Sequence, residues 1–355
     1  MADLISLQQE ALEQLHSLNL VDPDARCVPV PGGGGQRRYL RVQDSRPARI
    51  LCLSPAPQHV GGSLDENQSF VYMARLLEAH GGHGPRLLAH SAPRPDRAAW
   101  FLEEDLGDTR LLELALATPH EDGLMDLCLD ALAVLVDLQL RLKPPVFDAT
   151  RTHSPAWGTG MLLAEESGPW RRLLIHDHLR LDLDHAALER ECLDLARVTG
   201  ALPSGEFIHR DFQSTNLLQV NGAWRVVDFQ GARLGSPYYD VASLVYDPYL
   251  ALPPDVRLGL LEEYAEIGHP VHGLELEEML PDLQRVAAHR LMQAQAAYLR
   301  IAKATGERRW LRHLVPAASA LRSLCLDGAF ADWPVLCDTS WLAWDHLNRL
   351  GVEPA

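Results

Sequence analysis

The stretch FIHRDFQSTNLLQVNGAWRVVDFQGARLG, residues 207–235, decides the fold of this chain. Three short apolar runs in it are typical of strands, and an Asn-Gly pair at 221 and 222 is a strong signal for a tight hairpin turn. Polar side chains follow or precede these runs at Asp211, Asn216 and Asp228. Because a hairpin brings its two ends together, the pattern predicts that these three side chains converge on one point.

This set of oxygen-bearing side chains suits a hard divalent cation. Asn216 and Asp228 offer the few protein oxygens that Mg²⁺ takes alongside water and phosphate. Asp211 would then lie beside the metal, where it can accept a proton from a hydroxyl group. An isolated HRD triplet is a common accident, and a loop aspartate is usually solvated. The matching spacing of the amide and the second carboxylate favours a catalytic site instead.

Length, charge and cysteine usage exclude several classes of protein. A chain of 355 residues, 47% hydrophobic, is long enough for a folded protein with two lobes. A net charge of −16 and the lack of a basic run in the sequence argue against nucleic acid or an anionic membrane as partner. The six cysteines show no CxxC spacing, which argues against a zinc site or a disulfide framework. With neither a signal-peptide pattern nor a membrane-length apolar run, we expect a cytoplasmic protein.

The remaining sequence predicts a small β-rich lobe followed by a larger, mainly helical one. An amphipathic N-terminal helix precedes a strand, a run of four glycines at 32–35 and a second strand. Further strands are predicted at 48–54, 86–91 and 98–106, and a helix at 66–81. From about residue 110 onward helical periods prevail, apart from the short strands of 206–230. The joint between the lobes is predicted at 103–107.

The HxDxxxxN pattern at His209–Asn216, with an aspartate after the next hairpin, resembles the catalytic and metal-binding loops of protein-kinase-like phosphotransferases. DFQ in place of DFG, PYYD at 237–240 and the lack of an APE motif in the sequence favour the aminoglycoside phosphotransferase and choline kinase branch. The resemblance implies an α+β, protein-kinase-like bilobal fold, with a β-rich N-lobe at 1–104 and a helical C-lobe at 105–355.

Carried over residue by residue, the resemblance implies roles for five side chains. Asp211 is the base that positions the acceptor hydroxyl, and Asn216 and Asp228 bind Mg²⁺. His209 is structural, and Asp240 braces the catalytic loop, although capping of the following helix alone would explain an aspartate there.

The resemblance also implies a site for ATP. The glycine run and its flank cover the phosphates, and FLEEDLGDTRL at 101–111 resembles the linker that receives adenine. The implied ATP-binding residues are Gly33, Gly34, Gly35, Gln36, Arg37, Arg38, Glu104, Asp105 and Leu106. These kinases usually place a lysine on the third strand, paired with a helix glutamate, but the predicted N-lobe has no lysine. An arginine of the RRY triplet or Arg49 is the candidate replacement, and Glu66 or Asn67 the candidate partner.

The acceptor hydroxyl is the least specified part of the pattern. The LEEDLGD linker, the GGQRRYLRV hairpin, the missing lysine and DFQGARLGSPYYDVASLVYDPY together most resemble the anomeric N-acetylmuramate and N-acetylglucosamine kinases, in which the lysine is also replaced. We expect the sugar to contact carboxylates and an aromatic face, with candidates Glu165, Glu166, Trp170, Asp247 and Tyr249. Kinases of aminoglycosides, choline, homoserine or a thioribose, and a nucleotide-binding pseudokinase scaffold, remain alternatives. The oligomeric state is left open.

Overall fold

The computed structural model describes residues 2–30, 36–56, 65–94, 97–154, 156–326 and 328–350. The chain divides into two compact units. One, called here the sheet unit, comprises Met1–Thr109, Pro145–Ser154 and Leu218–Ala232. The other, called the helical unit, comprises Arg110–Pro144, Pro155–Leu217 and Arg233–Ala355. The domain boundary between residues 104 and 105 stays a prediction.

The sheet unit is built on five antiparallel strands in the order β1-β2-β3-β5-β4. Its elements are α1 (Ala2–Ser17), β1 (Arg26–Pro29), β2 (Arg38–Gln43), β3 (Arg49–Ser54), α2 (Glu66–Ala79), β4 (Leu87–His90) and β5 (Ala99–Glu104). Each corresponds to an element predicted from the sequence. The neighbouring pairs β1-β2, β2-β3 and β4-β5 are consecutive in the chain, whereas β3 pairs with β5 because α2 lies in the connection from β3 to β4.

Alternation along the strands gives this sheet two different faces. One face is apolar and packs against α1, in a cluster formed by Leu7, Ala11, Leu15, Val42, Leu51, Leu53, Trp100 and Leu102. The other face carries Cys52, Phe101 and Glu103, and Phe101 lies 4.5 Å from the ring of Phe70 on α2. Asp65 begins α2 through a capping box with Gln68, which satisfies backbone donors of its first turn.

The predicted Asn-Gly hairpin is present. Strand β7 (Leu217–Val220) pairs with β8 (Ala223–Val226), and Asn221 and Gly222 have φ angles of 51° and 80°. Two consecutive left-handed residues define the turn that matches the twist of a two-residue hairpin, which explains why Asn and Gly occupy these positions.

Helices form most of the other unit. They are α3 (Leu111–Ala117), α4 (Glu121–Arg141), α5 (Thr159–Met161), α6 (His185–Gly200), α7 (Tyr238–Val245), α8 (Pro254–Ile267), α9 (His269–His272), α10 (Leu276–Thr305), α11 (Leu314–Leu324) and α12 (Pro334–Arg349). Short strands β6 (Glu206–Ile208) and β9 (Arg233–Gly235) pair antiparallel within this unit. After α5 the backbone continues as two π-helical segments, Leu162–Ser167 and Trp170–His178. In the described part of the chain, no helix is both long and apolar enough to cross a membrane.

Candidate functional site

The loop from His209 to Asn216, called here the HRD loop, begins where β6 ends and is held at that end by Asp240. This aspartate is fully buried in the first turn of α7. It accepts hydrogen bonds from the backbone N–H of His209 at 2.5 Å and of Arg210 at 2.8 Å. Burial raises the pKa of Asp240 to about 7, and the two N–H donors act in the opposite direction. The sequence-predicted bracing residue therefore contacts the loop backbone directly.

A second buried carboxylate holds the far half of the loop. Asp247 accepts hydrogen bonds from the backbone N–H of Ser214 at 2.8 Å and from its hydroxyl at 2.7 Å. It also accepts the backbone N–H of Tyr249 at 2.9 Å. Burial raises the pKa of Asp247, and these donors lower it. Asp247 was a candidate for sugar binding, but with 2% of its surface exposed it is engaged with the loop.

Between these two anchors, Asp211 presents a partly exposed carboxylate. Its Oδ1 lies 3.5 Å from Nη2 of Arg290, a buried residue of α10. Arg290 is itself fixed by donating to the hydroxyl of Ser243 and to Oε1 of Gln213, both at 3.0 Å. The amide nitrogen of Asn216 donates to the backbone carbonyl of Asp211 at 2.9 Å, which leaves the amide oxygen of Asn216 for another ligand.

Asp228, the second predicted metal ligand, belongs to the sheet unit and follows β8. It adopts a left-handed conformation with φ 66°, which is uncommon for a residue other than glycine. Its Oδ1 accepts a hydrogen bond of 2.7 Å from the side chain of Gln230. The neighbouring ring of Phe229 stacks on Phe70 with centroids 5.1 Å apart. Packing of Phe229 thus anchors the turn that carries Asp228.

The polar face of the sheet holds a cluster of Arg37, Ser54, Glu66 and Asn67, called here the Arg37 cluster. Arg37 Nη2 lies 3.2 Å from Oε1 of Glu66 in the first turn of α2, and its guanidinium lies 5.0 Å from the ring centroid of Phe70. Its Nε donates to the Ser54 hydroxyl at 3.3 Å, and that hydroxyl donates to Asn67 at 2.7 Å. Both candidate partner residues at the start of α2 therefore belong to this cluster.

Arg49, the other candidate for the missing lysine, is occupied elsewhere. Its guanidinium pairs with Asp44 and donates to the backbone carbonyl of Leu20. Since Arg49 shares its strand face with Leu51 and Leu53, it points toward α1 and away from the face that carries Arg37. Of the two arginines, Arg37 has the environment expected for a phosphate contact.

The other predicted nucleotide residues differ in what they contact. Gly33, Gly34 and Gly35 lie outside the described residues. Gln36 and Arg38 flank Arg37 and are exposed. In the linker, Arg41 binds the carboxylate of Asp105 in a bidentate pair. Its Nε donates to Oδ2 at 2.5 Å and its Nη2 donates to Oδ1 at 3.2 Å.

The remaining linker residues are fixed by the sheet. Glu104 accepts the backbone N–H of Arg86 at 3.2 Å, and Leu106 is buried. Glu103 next to them is buried as well, and burial raises the pKa of its carboxyl to about 8 although the charge of Arg37 lowers it.

The candidate acceptor residues divide into core and accessible side chains. Trp170 has no exposed surface and donates its indole N–H to Gln295 at 3.4 Å, so no face of its ring is open to a sugar. Glu166 is buried and accepts the Tyr239 hydroxyl at 2.7 Å. Tyr249 packs edge-on against His313, with the centroids of the two rings 4.4 Å apart. Only Glu165 among the carboxylate candidates keeps appreciable exposure, at 25% of its side chain.

These observations agree with a comparison against known protein families. The model of the phosphotransferase enzyme family matches residues 26–274, more than half of the chain. The chain belongs to this family. The predicted enzyme class, a kinase-like phosphotransferase, is thereby confirmed, as is the branch inferred from the HRD loop.

Two curated relatives and one solved structure place this phosphotransferase more closely. It is 27% identical to the N-acetylmuramate/N-acetylglucosamine kinase of Pseudomonas aeruginosa over 67% of this chain, an alignment that spans 65% of the relative. It is 26% identical to the kinase of the same name from Pseudomonas putida over 86% of this chain and 88% of the relative. An amicoumacin kinase in complex with AMP-PNP and Ca²⁺ superposes with a TM-score of 0.62 at 12% identity, covering 91% of this chain and 96% of that one. This likeness confirms the predicted kinase-like fold.

Sequence reasoning missed several charged residues of this phosphotransferase. No sequence pattern pointed to Arg290, or to the pairing of Arg210 and Arg233 with Glu165. Arg290 comes from a helix about 80 residues after the HRD loop, so no local spacing connects them. The arginine itself was a usable signal. The helical period of the apolar residues places it on the buried face of a long amphipathic helix, and a buried arginine requires an acidic or polar partner.

Proposed function

We propose that this phosphotransferase is an ATP-dependent kinase that phosphorylates the C1 hydroxyl of an N-acetylated amino sugar, N-acetylmuramate or N-acetylglucosamine. The observation that carries the proposal is the arrangement around Asp211. Its carboxylate is partly exposed, its backbone is fixed between two buried carboxylates, and Asn216 is oriented by a hydrogen bond to the Asp211 carbonyl. The names of the relatives from the two Pseudomonas species support the choice of sugar.

In the proposed reaction, Asp211 orients the acceptor hydroxyl and takes its proton. One carboxylate oxygen, Oδ1, contacts Arg290, and Oδ2 has no hydrogen-bond partner among the described residues. Oδ2 is therefore the atom that accepts the proton from the sugar. An anomeric hydroxyl is more acidic than an ordinary alcohol, so correct positioning contributes more here than a strong base does.

The residues that would hold the nucleotide and its metal suit that task chemically. The amide oxygen of Asn216 and the carboxylate of Asp228 are hard oxygen donors, as Mg²⁺ requires. When bound, Mg²⁺ would neutralise negative charge on the phosphates of ATP. The side chain of Arg37 is nearly buried, and its Nη1 lacks a hydrogen-bond partner among the described residues. This arrangement suits a guanidinium that donates to a phosphate oxygen of the nucleotide. Gly33 to Arg38 and Glu104 to Leu106 complete the proposed ATP site.

The proposal is tested by phosphorus NMR of the purified protein with ATP, Mg²⁺ and either sugar, run beside Asp211→Asn. We expect a sugar 1-phosphate signal coupled to the anomeric proton in the native protein. The substitution keeps the shape of the side chain but removes the proton acceptor, and we expect at least about a hundredfold slower product formation.

Other outcomes would select among the alternatives. Phosphorylation of an aminoglycoside, choline, homoserine or thioribose, but not of either N-acetyl sugar, would overturn the choice of acceptor. Magnesium-dependent ATP binding without transfer to a broad panel of hydroxyl compounds would favour a pseudokinase scaffold. A phosphate ester at a hydroxyl other than C1 would overturn the proposed position of transfer alone.

A further inference from the structure

The helical unit contains a group of arginines to which the proposed transfer from ATP gives no role. Arg210 Nη2 lies 2.7 Å from Oε2 of Glu165, and Arg233 Nη2 lies 3.3 Å from the same oxygen. Arg300 stands near the end of α10 with an exposed side chain; partial burial and the charges of Arg210 and Arg172 lower its pKa, whereas the charge of Glu165 raises it. We call Arg210, Arg233 and Arg300 the arginine cluster.

The elements that carry the cluster fix its position. Strand pairing places Arg233 on β9 opposite Ile208 on β6, directly before the HRD loop. Arg210 has φ 80°, so its side chain leaves the loop in a direction that an ordinary backbone conformation would not allow. Glu165 reaches both arginines from a π-helical segment, a local distortion that often accompanies functional sites.

Positive charge in the cluster exceeds the negative charge that faces it, because three arginines are opposed by Glu165 and, beside Arg210, by Asp211. Glu165 is the carboxylate that contacts these guanidinium groups, and its neighbour Glu166 instead binds the Tyr239 hydroxyl, with its pKa raised by burial to about 7. Arg233 is 3% exposed, and its Nε and Nη1 have no hydrogen-bond partner among the described residues. Buried guanidinium nitrogens without acceptors are costly, so an added anion would stabilise the arrangement.

The cluster adjoins the proposed base, because Arg210 immediately precedes Asp211 and the two charges interact: burial lowers the pKa of Arg210, but the charge of Asp211 raises it. A substrate whose hydroxyl contacts Asp211 can therefore reach the guanidinium groups with another substituent. The planar fork of an arginine matches a carboxylate, and pairs of this kind give geometric selectivity in addition to charge. A neutral sugar hydroxyl gains much less from such donors.

We infer that the arginine cluster binds a carboxylate carried by the acceptor, and that the enzyme therefore prefers N-acetylmuramate to N-acetylglucosamine. The two sugars differ by the lactyl ether, which adds one carboxylate to the former. This inference rests on the proposed function and names the substituent that decides the substrate. Arg300 is a specificity residue in this arrangement, and Asp211 performs the same chemistry on both sugars.

The test compares steady-state kinetics with both sugars in the native enzyme, Arg300→Gln, Arg300→Lys and the control Arg190→Gln. Arg190 is an exposed arginine of α6, so its substitution removes the same charge from a different surface. We expect the native enzyme to have the lower KM for N-acetylmuramate. Arg300→Gln should raise that KM about tenfold, the usual effect of one hydrogen bond to a charged group. The KM for N-acetylglucosamine and both kcat values should stay within about twofold, and Arg300→Lys should recover part of the loss.

Raising the salt concentration should increase the KM for N-acetylmuramate and leave that for N-acetylglucosamine nearly constant, because a pair near the surface is screened. Parallel changes for both sugars in Arg300→Gln, an effect equal to that of Arg190→Gln, or a native preference for N-acetylglucosamine would overturn this inference and leave the proposed function intact. A native enzyme that phosphorylates neither sugar would overturn both.

Discussion

The HRD loop and the Arg37 cluster each hold a charged side chain for the proposed reaction, but the surroundings fix it in different ways. The loop is anchored at both ends by the buried carboxylates of Asp240 and Asp247, which accept four hydrogen bonds from loop residues, three of them from backbone N–H groups. Arg37 is itself buried, yet its ionic partner Glu66 is 48% exposed. Conformation in the loop thus depends on buried backbone hydrogen bonds, whereas the cluster depends on side chains alone.

This difference predicts different sensitivities. A buried carboxylate that satisfies backbone N–H groups cannot be replaced without leaving donors unpaired, which costs stability as well as geometry. A partly exposed ion pair contributes little to stability because water screens it. Substitutions in the HRD loop anchors should therefore lower both activity and stability, and those in the Arg37 cluster should mainly change nucleotide affinity.

The most severe test is Asp240→Asn. An amide at this position offers one acceptor oxygen where two N–H donors now bind the carboxylate, so one donor is left opposite an NH₂ group. We expect kcat to fall at least about a hundredfold, since a displacement of about 1 Å in a catalytic group has that effect. The free energy of unfolding should fall by roughly 2 kcal/mol, measured by denaturant titration.

Asp255→Asn is the matched control for this substitution. Asp255 also stands in the first turn of a helix, α8, but is exposed. It should leave kcat and the unfolding free energy nearly unchanged. If Asp240→Asn kept native kcat, the loop would not depend on its buried anchor and the comparison would fail.

The second test compares two single variants, Arg37→Gln and Arg49→Gln. Arg37→Gln should raise the KM for ATP about tenfold, because one charge-assisted contact to phosphate is lost, and should change the melting temperature little. Arg49→Gln removes a buried pair with Asp44 and should lower the melting temperature while leaving the KM for ATP within about twofold. The reverse pattern would identify Arg49 as the nucleotide arginine.

How far the sequence alone predicts this molecule depends on the range of the interactions. The strands of the sheet unit, α2 and the Asn-Gly hairpin follow local patterns of apolar spacing and turn residues and were predicted, whereas β9, a three-residue strand that pairs with β6, was not. Short motif spacing also located Asp211, Asn216 and Asp228, whose roles stay predictions. The choice between Arg37 and Arg49 required knowledge of how the strands pair, because a shift of one residue along a strand moves a side chain to the opposite face of the sheet.

Long-range contacts were beyond sequence patterns. Trp170 and Glu166 were chosen for the chemistry that sugars need, but the structure buries both against partners on other helices, Gln295 and Tyr239. Arg290 reaches Asp211 from α10 in the same way. Residue type indicates what a side chain can bind, and tertiary packing decides whether it is exposed to do so.

A pH titration sharpens the description of the sheet's polar face. Burial raises the pKa of Glu103 to about 8, so the folded protein keeps a proton that the unfolded chain releases near pH 4.5. The contribution of this carboxyl to stability is therefore present below pH 4.5 and is lost as the pH rises to about 8. Glu103→Gln lacks this titration. Relative to the variant, the melting temperature of the native protein should fall by several degrees between pH 5 and 8, then level off. A constant difference between the two proteins over that range would show that Glu103 is already ionised at pH 5.

The smallest effect is expected for Glu66→Gln. The exposed half of its side chain lets water screen the pair with Arg37, so the melting temperature should stay within about 2 °C of the native value. Arg37 keeps its contacts with Ser54 and Phe70 in the variant, and we expect the KM for ATP to rise only two- to threefold, about 0.5 kcal/mol. Combining Glu66→Gln with Arg37→Gln should add nothing to the single arginine substitution, because Glu66 acts only by orienting that guanidinium. If the two effects multiplied instead, Glu66 would contribute to nucleotide binding independently, and the Arg37 cluster would resemble the HRD loop in having more than one anchor.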